Sequence, residues 1–491
     1  MKPSEYASLN AAQQLALLDS GDVSSVELTQ AHLGRIDEVN APINAIVTVD
    51  AEGALSRARQ SDDARARGEL LGPLAGLPMT HKDTHNVAGM RSTNGSLCLK
   101  DFVPDTDDLV VARLRASGVV ATGKSNVPEF GAGSHTFNEV FGTTTNPYDT
   151  SRSAGGSSGG LAAALASGIQ PLGEGSDMGG SLRIPASFCN VFGFRPSWGV
   201  IPMPSPVNAW AWLGRTGPMA RTVGDLELFM NAVAGPTPEV TPGAPDLRGA
   251  FGQVPGAQRG GVRGVRGLRV GFTTSLGLPV QPAMQEAVRR AAATFEAMGA
   301  TVEEASPDLT GAAEVFDATR ATDFAAGLGS FVESQRELVK PEVIWNVELG
   351  WSLSSRDLLR VRALLTRLQA SMREFHRRFD LLISPGAQVV AFDATQRFPA
   401  EIEGVASTTY LDWMRSACLL SAAGVPTLAA PAGFDGDGLP TGVQLSGFHY
   451  TDAELLAWGK AYEKASGHDA APISPRLAAC DARSLRTLAP A

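Results

Sequence analysis

Two short runs decide how the rest of this chain is read: Gly155-Gly-Ser157-Ser-Gly-Gly160 and Gly175-Ser-Asp-Met-Gly-Gly-Ser181-Leu-Arg-Ile-Pro185. Their serines, Ser157 and Ser181, stand 24 positions apart. Neither run suits the interior of a helix, where each glycine costs about 1 kcal/mol relative to alanine. The second also contains glycines, Gly179 and Gly180, that could let backbone N–H groups turn toward one point without side chains in the way. The first run closes a longer stretch, Gly131 to Gly160, dense in Gly, Ser, Thr and Asn. Loops beyond about 12 to 15 residues are uncommon unless they serve a function or are disordered, and here the functional reading is taken.

Outward from these runs the pattern alternates. Residues 8 to 40 carry apolar positions at helical spacing, with Ser24 and Glu27 as a capping box opening Leu28 to Val39. Residues 51 to 68 read as a helix, and Leu74 to Thr80 as a short strand that ends beside Lys82 and Asp83. Asp107 to Ser117 is helical, Gly118 is a natural stop, and Val119 to Thr122 is a buried strand. Tyr148 to Ala154 reads as an irregular loop, Leu161 to Ser167 as a small-residue helix, and Pro171 to Gly175 as the approach to the second glycine run. Residues 235 to 266 form a Gly/Pro-rich excursion. Beyond it Leu268 to Thr273 is a strand, Pro282 to Met298 a helix, 310 to 380 largely helical, and Leu381 to Ser384 and Thr427 to Ala430 are buried strands. The tail, 470 to 491, is expected to be loose.

Composition narrows the function classes. The 491 residues hold 41 Lys and Arg against 51 Asp and Glu, a formal charge of −10, and no local basic patch. Nucleic acid and acidic membrane surfaces are therefore not the expected partners. With 43% hydrophobic and 19% charged residues the chain is globular. The weakly polar stretch Leu419 to Phe434 is broken by Gly424, Pro426 and Pro431 and is shorter than the roughly 20 residues a bilayer crossing needs. Met1 to Asn10 has no apolar signal segment, so the expected location is cytoplasmic. Cys98, Cys189, Cys418 and Cys480 have neither C-x-x-C spacing nor the density of a disulfide scaffold. No His/Cys/Asp cluster has metal-ligand spacing, so neither metal nor cofactor is expected.

Three motifs compete for the chemistry. Gly118-Val-Val-Ala-Thr-Gly-Lys-Ser125 fits the P-loop pattern, but a helix precedes it, its middle residues are strand formers, and Pro128 follows closely, so the strand–loop–helix order is wrong. Gly155-Gly-Ser157-Ser-Gly159 fits the nucleophile elbow of an α/β-hydrolase-type esterase, with His376, His449 and His468 downstream. That elbow joins a strand sharply to a helix, which the loop reading of Tyr148 to Ala154 does not supply.

The third reading takes Pro78-Met-Thr-His-Lys82-Asp83 together with both glycine runs. At these residues the chain resembles the amidase signature family. The spacing of Ser157 and Ser181 matches, and so do Gly123-Lys-Ser-Asn126, Glu129-Phe-Gly131, Phe141-Gly-Thr-Thr-Thr-Asn-Pro147, Phe188-Cys-Asn-Val-Phe-Gly-Phe-Arg-Pro196 and Gly217-Pro-Met-Ala-Arg-Thr-Val-Gly-Asp225. The match is dense from about residue 70 to 230 and thinner beyond, at Gly424 to Pro431 and Leu439 to Gly447. The resemblance implies one large α/β/α domain around a mixed β-sheet spanning 1–491. Within it 1–70 is a helical N-terminal segment, 71–232 the signature core, and 310–380 a helical, pocket-covering segment.

It also implies roles. Ser181 is the expected nucleophile, Ser157 the bridging serine that follows a cis peptide, and Lys82 the base and then the acid. Burial at a strand end would lower the proton affinity of Lys82 from its reference of roughly 10.4. The N–H groups of Met178, Gly179, Gly180 and Ser181 are expected to form the oxyanion hole. Ser158, Asp177 and Arg183 are expected to tie the serine loops together, and Gly131 and Gly133 to line the pocket, with Trp210 and Trp212 as aromatic candidates. His81, His85 and His135 are read as satisfied core histidines.

The family includes free-standing amidases and the amidase subunit of a glutamine-dependent tRNA amidotransferase. The segments Ser407-Thr-Thr-Tyr-Leu-Asp-Trp-Met414 and Cys418 to Ala423 do not carry the acidic residue and asparagine at the places expected of the latter, which favours a free-standing enzyme. The expected substrate is a small apolar aryl or alkyl amide, with esters and carbamates accessible through the same acyl-serine route. The reading expects no nucleic-acid or membrane partner and admits a homodimer.

Overall fold

In the computed structural model, which describes residues 3–240, 244–252 and 264–477, local signals set most of the helices. Ser24 Oγ accepts the Glu27 N–H at 3.1 Å and Glu27 Oε2 accepts the Ser24 N–H at 2.9 Å, so the box opens a helix, Ser25–Ile43, one turn earlier than the apolar run. Asp50 caps Ala51–Ala66, and Leu109–Ala116 ends before Gly118. The P-loop look-alike is a strand, Val120–Ser125, with all six residues buried.

Three segments differ from the expected reading. The strand near Lys82 runs Pro78–Lys82 and so includes the lysine, because Leu74 to Leu77 close a turn, Leu77 N–H to Leu74 carbonyl, 3.1 Å. The approach to the second glycine run is itself a strand, Leu172–Asp177. Tyr148 to Ala154 is not irregular: Asp149–Ser153 pairs antiparallel with Thr145–Asn146. Its polar residues hide the alternation, yet the Ser153 N–H reaches the Phe392 carbonyl at 2.8 Å and the Ala394 N–H the Ser151 carbonyl at 2.8 Å.

The main sheet has eight strands in the spatial order Thr301–Glu304, Arg269–Phe272, Leu381–Pro385, Pro440–Ser446, Thr427–Phe434, Phe192–Arg195, Arg215–Ala220, Leu172–Asp177. The first three are mutually parallel and every later neighbour is antiparallel, so the sheet is mixed. A second sheet holds Ile46–Val49, Val120–Ser125 and Pro78–Lys82. Side chains join the two: Gln170 Oε1 accepts the Thr80 N–H at 3.0 Å and Glu174 Oε1 accepts the Lys82 N–H at 2.9 Å. Two N–H groups of an edge strand are thereby satisfied by side chains of the neighbouring element.

Helices cover both faces of the main sheet. One apolar cluster packs Gly159–Ala166, Arg183–Phe188, Ser355–Arg378 and Arg415–Ala423 against it; the other packs Val223–Val233, Pro282–Ala297 and Asp452–Ser466. The α/β/α layering follows from strands buried on both faces. Among the described residues no helix is long and apolar enough to cross a membrane. The Gly/Pro-rich excursion lies partly outside the described residues, as does the tail beyond 477. The part of the tail that is described is not loose: the Ile473 N–H donates to the Ala166 carbonyl at 2.8 Å and the Arg476 N–H to the Pro147 carbonyl at 2.9 Å.

Candidate active site

Lys82 is the last residue of its strand and has no solvent exposure. Its Nζ lies 2.8 Å from Ser157 Oγ, 3.0 Å from Ser158 Oγ and 2.9 Å from Ser176 Oγ. Among the described residues no carboxylate pairs with it. Burial lowers its ammonium to about 7, against the opposing pull of Asp177 and Glu174. A lysine with that proton affinity exchanges protons with a hydroxyl at 2.8 Å near neutral pH. Asp83, the adjacent residue in the chain, points elsewhere, accepting N–H and O–H from Thr93 and lying 3.9 Å from Lys124.

Ser157 follows a cis peptide from Gly156 and is 2% exposed. Gly131 approaches so closely that a Cβ there would stand 3.4 Å from Ser157 Oγ, and at φ +66 a side chain would be strained as well. Ser158 joins the loops, its N–H donating to the Ser181 carbonyl at 3.2 Å while its hydroxyl meets Lys82.

The Ser181 loop is held from beneath by Asp177. One carboxylate receives the Gly180 N–H at 2.8 Å, the Leu182 N–H at 3.1 Å, and Nε and Nη2 of Arg183 at 2.9 Å each. Burial alone would raise that carboxyl; Arg183, Arg195 and the Gly180 N–H outweigh it and hold Asp177 well below the usual carboxylate range. Gly180, at φ +112 and 2.6 Å from Ala417 Cβ at its missing Cβ, admits no side chain. These bonds correct the expected oxyanion set. The Gly180 N–H is committed to Asp177, whereas those of Met178, Gly179 and Ser181 have no acceptor among the described residues. Ser181 itself is 6% exposed.

The glycine loop that carries Ser181, beside a buried Lys–Ser pair, has a counterpart in sequence: the family model described as Amidase covers residues 27–456. The chain belongs to the amidase family. This amidase is 35% identical to a glutamyl-tRNA(Gln) amidotransferase subunit from Moorella thermoacetica, over 93% of its own length and 96% of that protein's. It is 33% identical to the corresponding subunit from Cupriavidus necator, over 94% and 98%. Among solved structures it superposes on a bacterial aryl acylamidase with TM-score 0.85 at 28% identity, covering 94% of this chain and 96% of that one. The peptide amidase of Stenotrophomonas maltophilia superposes with TM-score 0.78 at 27% identity, over 96% and 99%. These amidases share the α/β fold and cleave C–N bonds, and so this chain is an amide-hydrolysing enzyme.

The walls of the site in this amidase come from far along the chain. The helix Ala312–Ser334 places Phe316 against Gly179, where a Cβ would meet its ring at 2.6 Å, and Met414 closes the same glycine at 3.1 Å. Tyr410 faces Gly133, 3.7 Å from its missing Cβ. Arg320 reaches Tyr410 Oη, from Nε at 3.1 Å and from Nη2 at 2.9 Å. Trp345 meets the Tyr410 ring edge-on at 6.0 Å. The two tryptophans chosen from sequence do not take this place: Trp210 is 61% exposed beside Trp198, and Trp212 lies against Gly424. A tryptophan in a loop outside helix or strand has an aromatic signal but no positional one.

The histidines behave as core groups. Nδ1 of His81 and of His85 both meet Glu174 Oε1, at 3.1 and 3.3 Å, and His135 bonds Ser153 Oγ at 2.7 Å and the Ala394 carbonyl at 3.1 Å. The strand found before Ser157 removes the loop argument against an esterase elbow. The histidines decide instead: His376 bonds the Phe379 carbonyl, His449 Gln369 and His468 the Arg221 carbonyl, while Ser157 bonds Lys82. Ser176 and Glu174 escaped the sequence reading. Their only signal was a charged and a hydroxyl side chain at alternate positions in a strand otherwise made of Leu, Gly and Asp.

Proposed function

We propose that this amidase is a free-standing hydrolase of small aryl and alkyl amides that works through an acyl-Ser181 intermediate. The observation that carries the reading is Lys82 Nζ, buried and 2.8 Å from Ser157 Oγ, beneath the loop that bears Ser181. Ser181 Oγ attacks the carbonyl carbon and gives its proton to Ser157, whose own proton passes to neutral Lys82. The N–H groups of Met178, Gly179 and Ser181 receive the oxyanion. When the intermediate collapses the C–N bond breaks, and the proton returns from Lys82 through Ser157 to the departing nitrogen. Water then attacks the acyl ester, its proton following the same relay, and the C–O bond to Ser181 breaks. Esters and carbamates offer the same carbonyl and the same acyl-serine route, so turnover of both is expected as well.

Labelling with a fluorophosphonate, followed by peptide mass mapping, tests this. The adduct is expected on Ser181, and its rate of formation should drop at least about a hundredfold in Lys82→Ala and Ser157→Ala, the range seen when a general base is removed. An adduct on Ser157 that is indifferent to Lys82 overturns the reading.

A second reading has a specific support, the 35% identity to an amidotransferase subunit. Under it the isolated chain hydrolyses glutamine and turns over faster with partner subunits. Turnover of acetanilide by the chain alone, with glutamine inert, favours the first reading; the reverse favours the second.

A further inference from the structure

Arg320 is a buried cation without a counter-charge. It is 3% exposed, and no carboxylate lies within ion-pair distance of it among the described residues. The acidic groups around it are engaged elsewhere: Asp317 with Arg415 at 2.5 Å, Asp323 with Asn208 Nδ2 at 3.0 Å, and Glu342 with Arg397 at 2.6 Å. Its own acceptors are poor, the Tyr410 phenol oxygen for Nε and Nη2 and the Met178 thioether at 3.2 Å for Nη1. Two of its five N–H groups are left over.

The neighbours deepen the imbalance. Asn346 Nδ2 also donates to Tyr410 Oη, at 2.7 Å, and its second contact, to the Glu342 carbonyl at 2.6 Å, fixes that atom as the nitrogen. Tyr410 Oη thus receives three N–H groups, and its own O–H has no acceptor among the described residues. Guanidinium, amide and phenol converge with donors in excess and acceptors absent. Buried polar groups are ordinarily satisfied, so a cluster of this kind is complementary to something the protein does not itself carry.

The cluster borders the site. Arg320 stands one helical turn from Phe316, which covers Gly179; it touches Met178 of the Ser181 loop; and its partner Tyr410 faces Gly133. Phe324, 4.2 Å below the guanidinium, supports its plane. We propose that Arg320, with Tyr410 and Asn346, receives a carboxylate carried by the substrate, so that the preferred amides are acidic ones. This rests on the reading that Ser181 opens the amide. A guanidinium matches a carboxylate through two parallel N–H bonds, and a buried charge-assisted pair discriminates strongly.

The test compares isosteric anilides, which places the carboxylate on either side of the scissile bond: glutaranilic acid against 5-methylhexananilide, and 4-acetamidobenzoate against 4-isopropylacetanilide. In the wild-type enzyme one acid is expected to exceed its neutral isostere about tenfold or more in kcat/KM, chiefly through KM, as a charge-assisted bond provides. The arm that responds identifies the side that faces Arg320. In Arg320→Met that ratio should fall toward one, with Arg320→Lys between. If Arg320→Met does not fold, Tyr410→Phe, which removes the phenol beneath the guanidinium, should lower the same ratio. Equal use of acid and neutral substrates by the wild type, or a ratio unmoved in the variants, overturns the proposal. If no anilide is cleaved while the fluorophosphonate still marks Ser181, the acidic-anilide class fails but the nucleophile stands; absence of the Ser181 adduct sinks the hydrolase reading itself.

Discussion

At Lys82 two opposed effects can be separated by experiment. Burial drives its ammonium down to about 7, while the carboxylates of Asp177 and Glu174 favour the charged form. In the proposed relay Lys82 must be neutral to accept a proton, so kcat/KM for a neutral amide should rise as pH climbs through about 7 and level off above it. Glu174→Gln keeps an oxygen for the Lys82 N–H, 2.9 Å away, but removes one of the two charges that hold the proton on. The acidic limb of the pH profile should therefore move to lower pH, raising activity at about pH 6 relative to about pH 8. A limb that stays in place, or moves up, would mean that Glu174 acts on Lys82 only through position. Lys82, Ser157 and Ser181 could be singled out in the sequence as candidates because their three motifs, in order and spacing, resemble one family. Ser176, Arg320 and Tyr410 could not, since their meaning lies in what they meet: Ser176 meets a lysine 94 positions away, and Arg320 a phenol 90 away.

The loop element that carries Ser181 is held by one buried ion pair as well as by its own glycines. Asp177 binds two N–H groups of the loop together with Nε and Nη2 of Arg183, and Arg183 continues to Gln444 Oε1 at 2.6 Å and Ser421 Oγ at 2.6 Å, on two further elements. Asp177→Asn leaves Arg183 and Arg195 buried without a charge, which costs about 3 to 5 kcal/mol when a buried pair is broken. It also weakens the hold on the Gly180 N–H. We expect a lowered denaturation midpoint together with a fall in kcat larger than the change in KM, read from urea unfolding and acetanilide kinetics. An unchanged midpoint would show that the arginines are satisfied by their carbonyl and hydroxyl partners alone. The helices around this loop were legible because their caps are local, as Ser24 and Glu27 show. The strand Leu172–Asp177 was not, because a glycine-rich strand has no side-chain alternation to read and takes its order from Arg215–Ala220, about 40 residues later. The junction of the two sheets was equally hidden: Gln170 and Glu174 stand in for a backbone ladder, and nothing in their own neighbourhood announces that use.

Across the whole molecule, chain segments far apart in sequence converge on Arg221. Its guanidinium donates to five carbonyls: Leu165 at 3.2 Å, Gln170 at 3.0 Å, Ser8 at 3.3 Å, Leu9 at 2.7 Å and Ala470 at 3.1 Å. One buried cation thus joins the N-terminal segment, the helix and turn between the two serine runs, and the segment after the last helix. That last segment continues over the surface of the serine region, with Arg35 Nη2 reaching the Ile473 carbonyl at 3.3 Å and the Thr150 N–H the Arg476 carbonyl at 3.1 Å. A chain ended after Asp469 loses the Ala470 acceptor and the backbone bonds of Ile473 and Arg476; one ended after Leu477 keeps them all. A hydrogen bond to a charged group contributes about 1.5 to 3 kcal/mol and a neutral one about 1, so the shorter chain should melt measurably below the longer. Because the tail meets the outer faces of the serine loops and not Lys82, Ser157 or Ser181, kcat/KM well below both melting points should be the same for the two chains. Equal midpoints would place the tie of the C-terminal region upstream, in the helix Asp452–Ser466 and its bond from Tyr462 Oη to the Pro431 carbonyl at 3.1 Å.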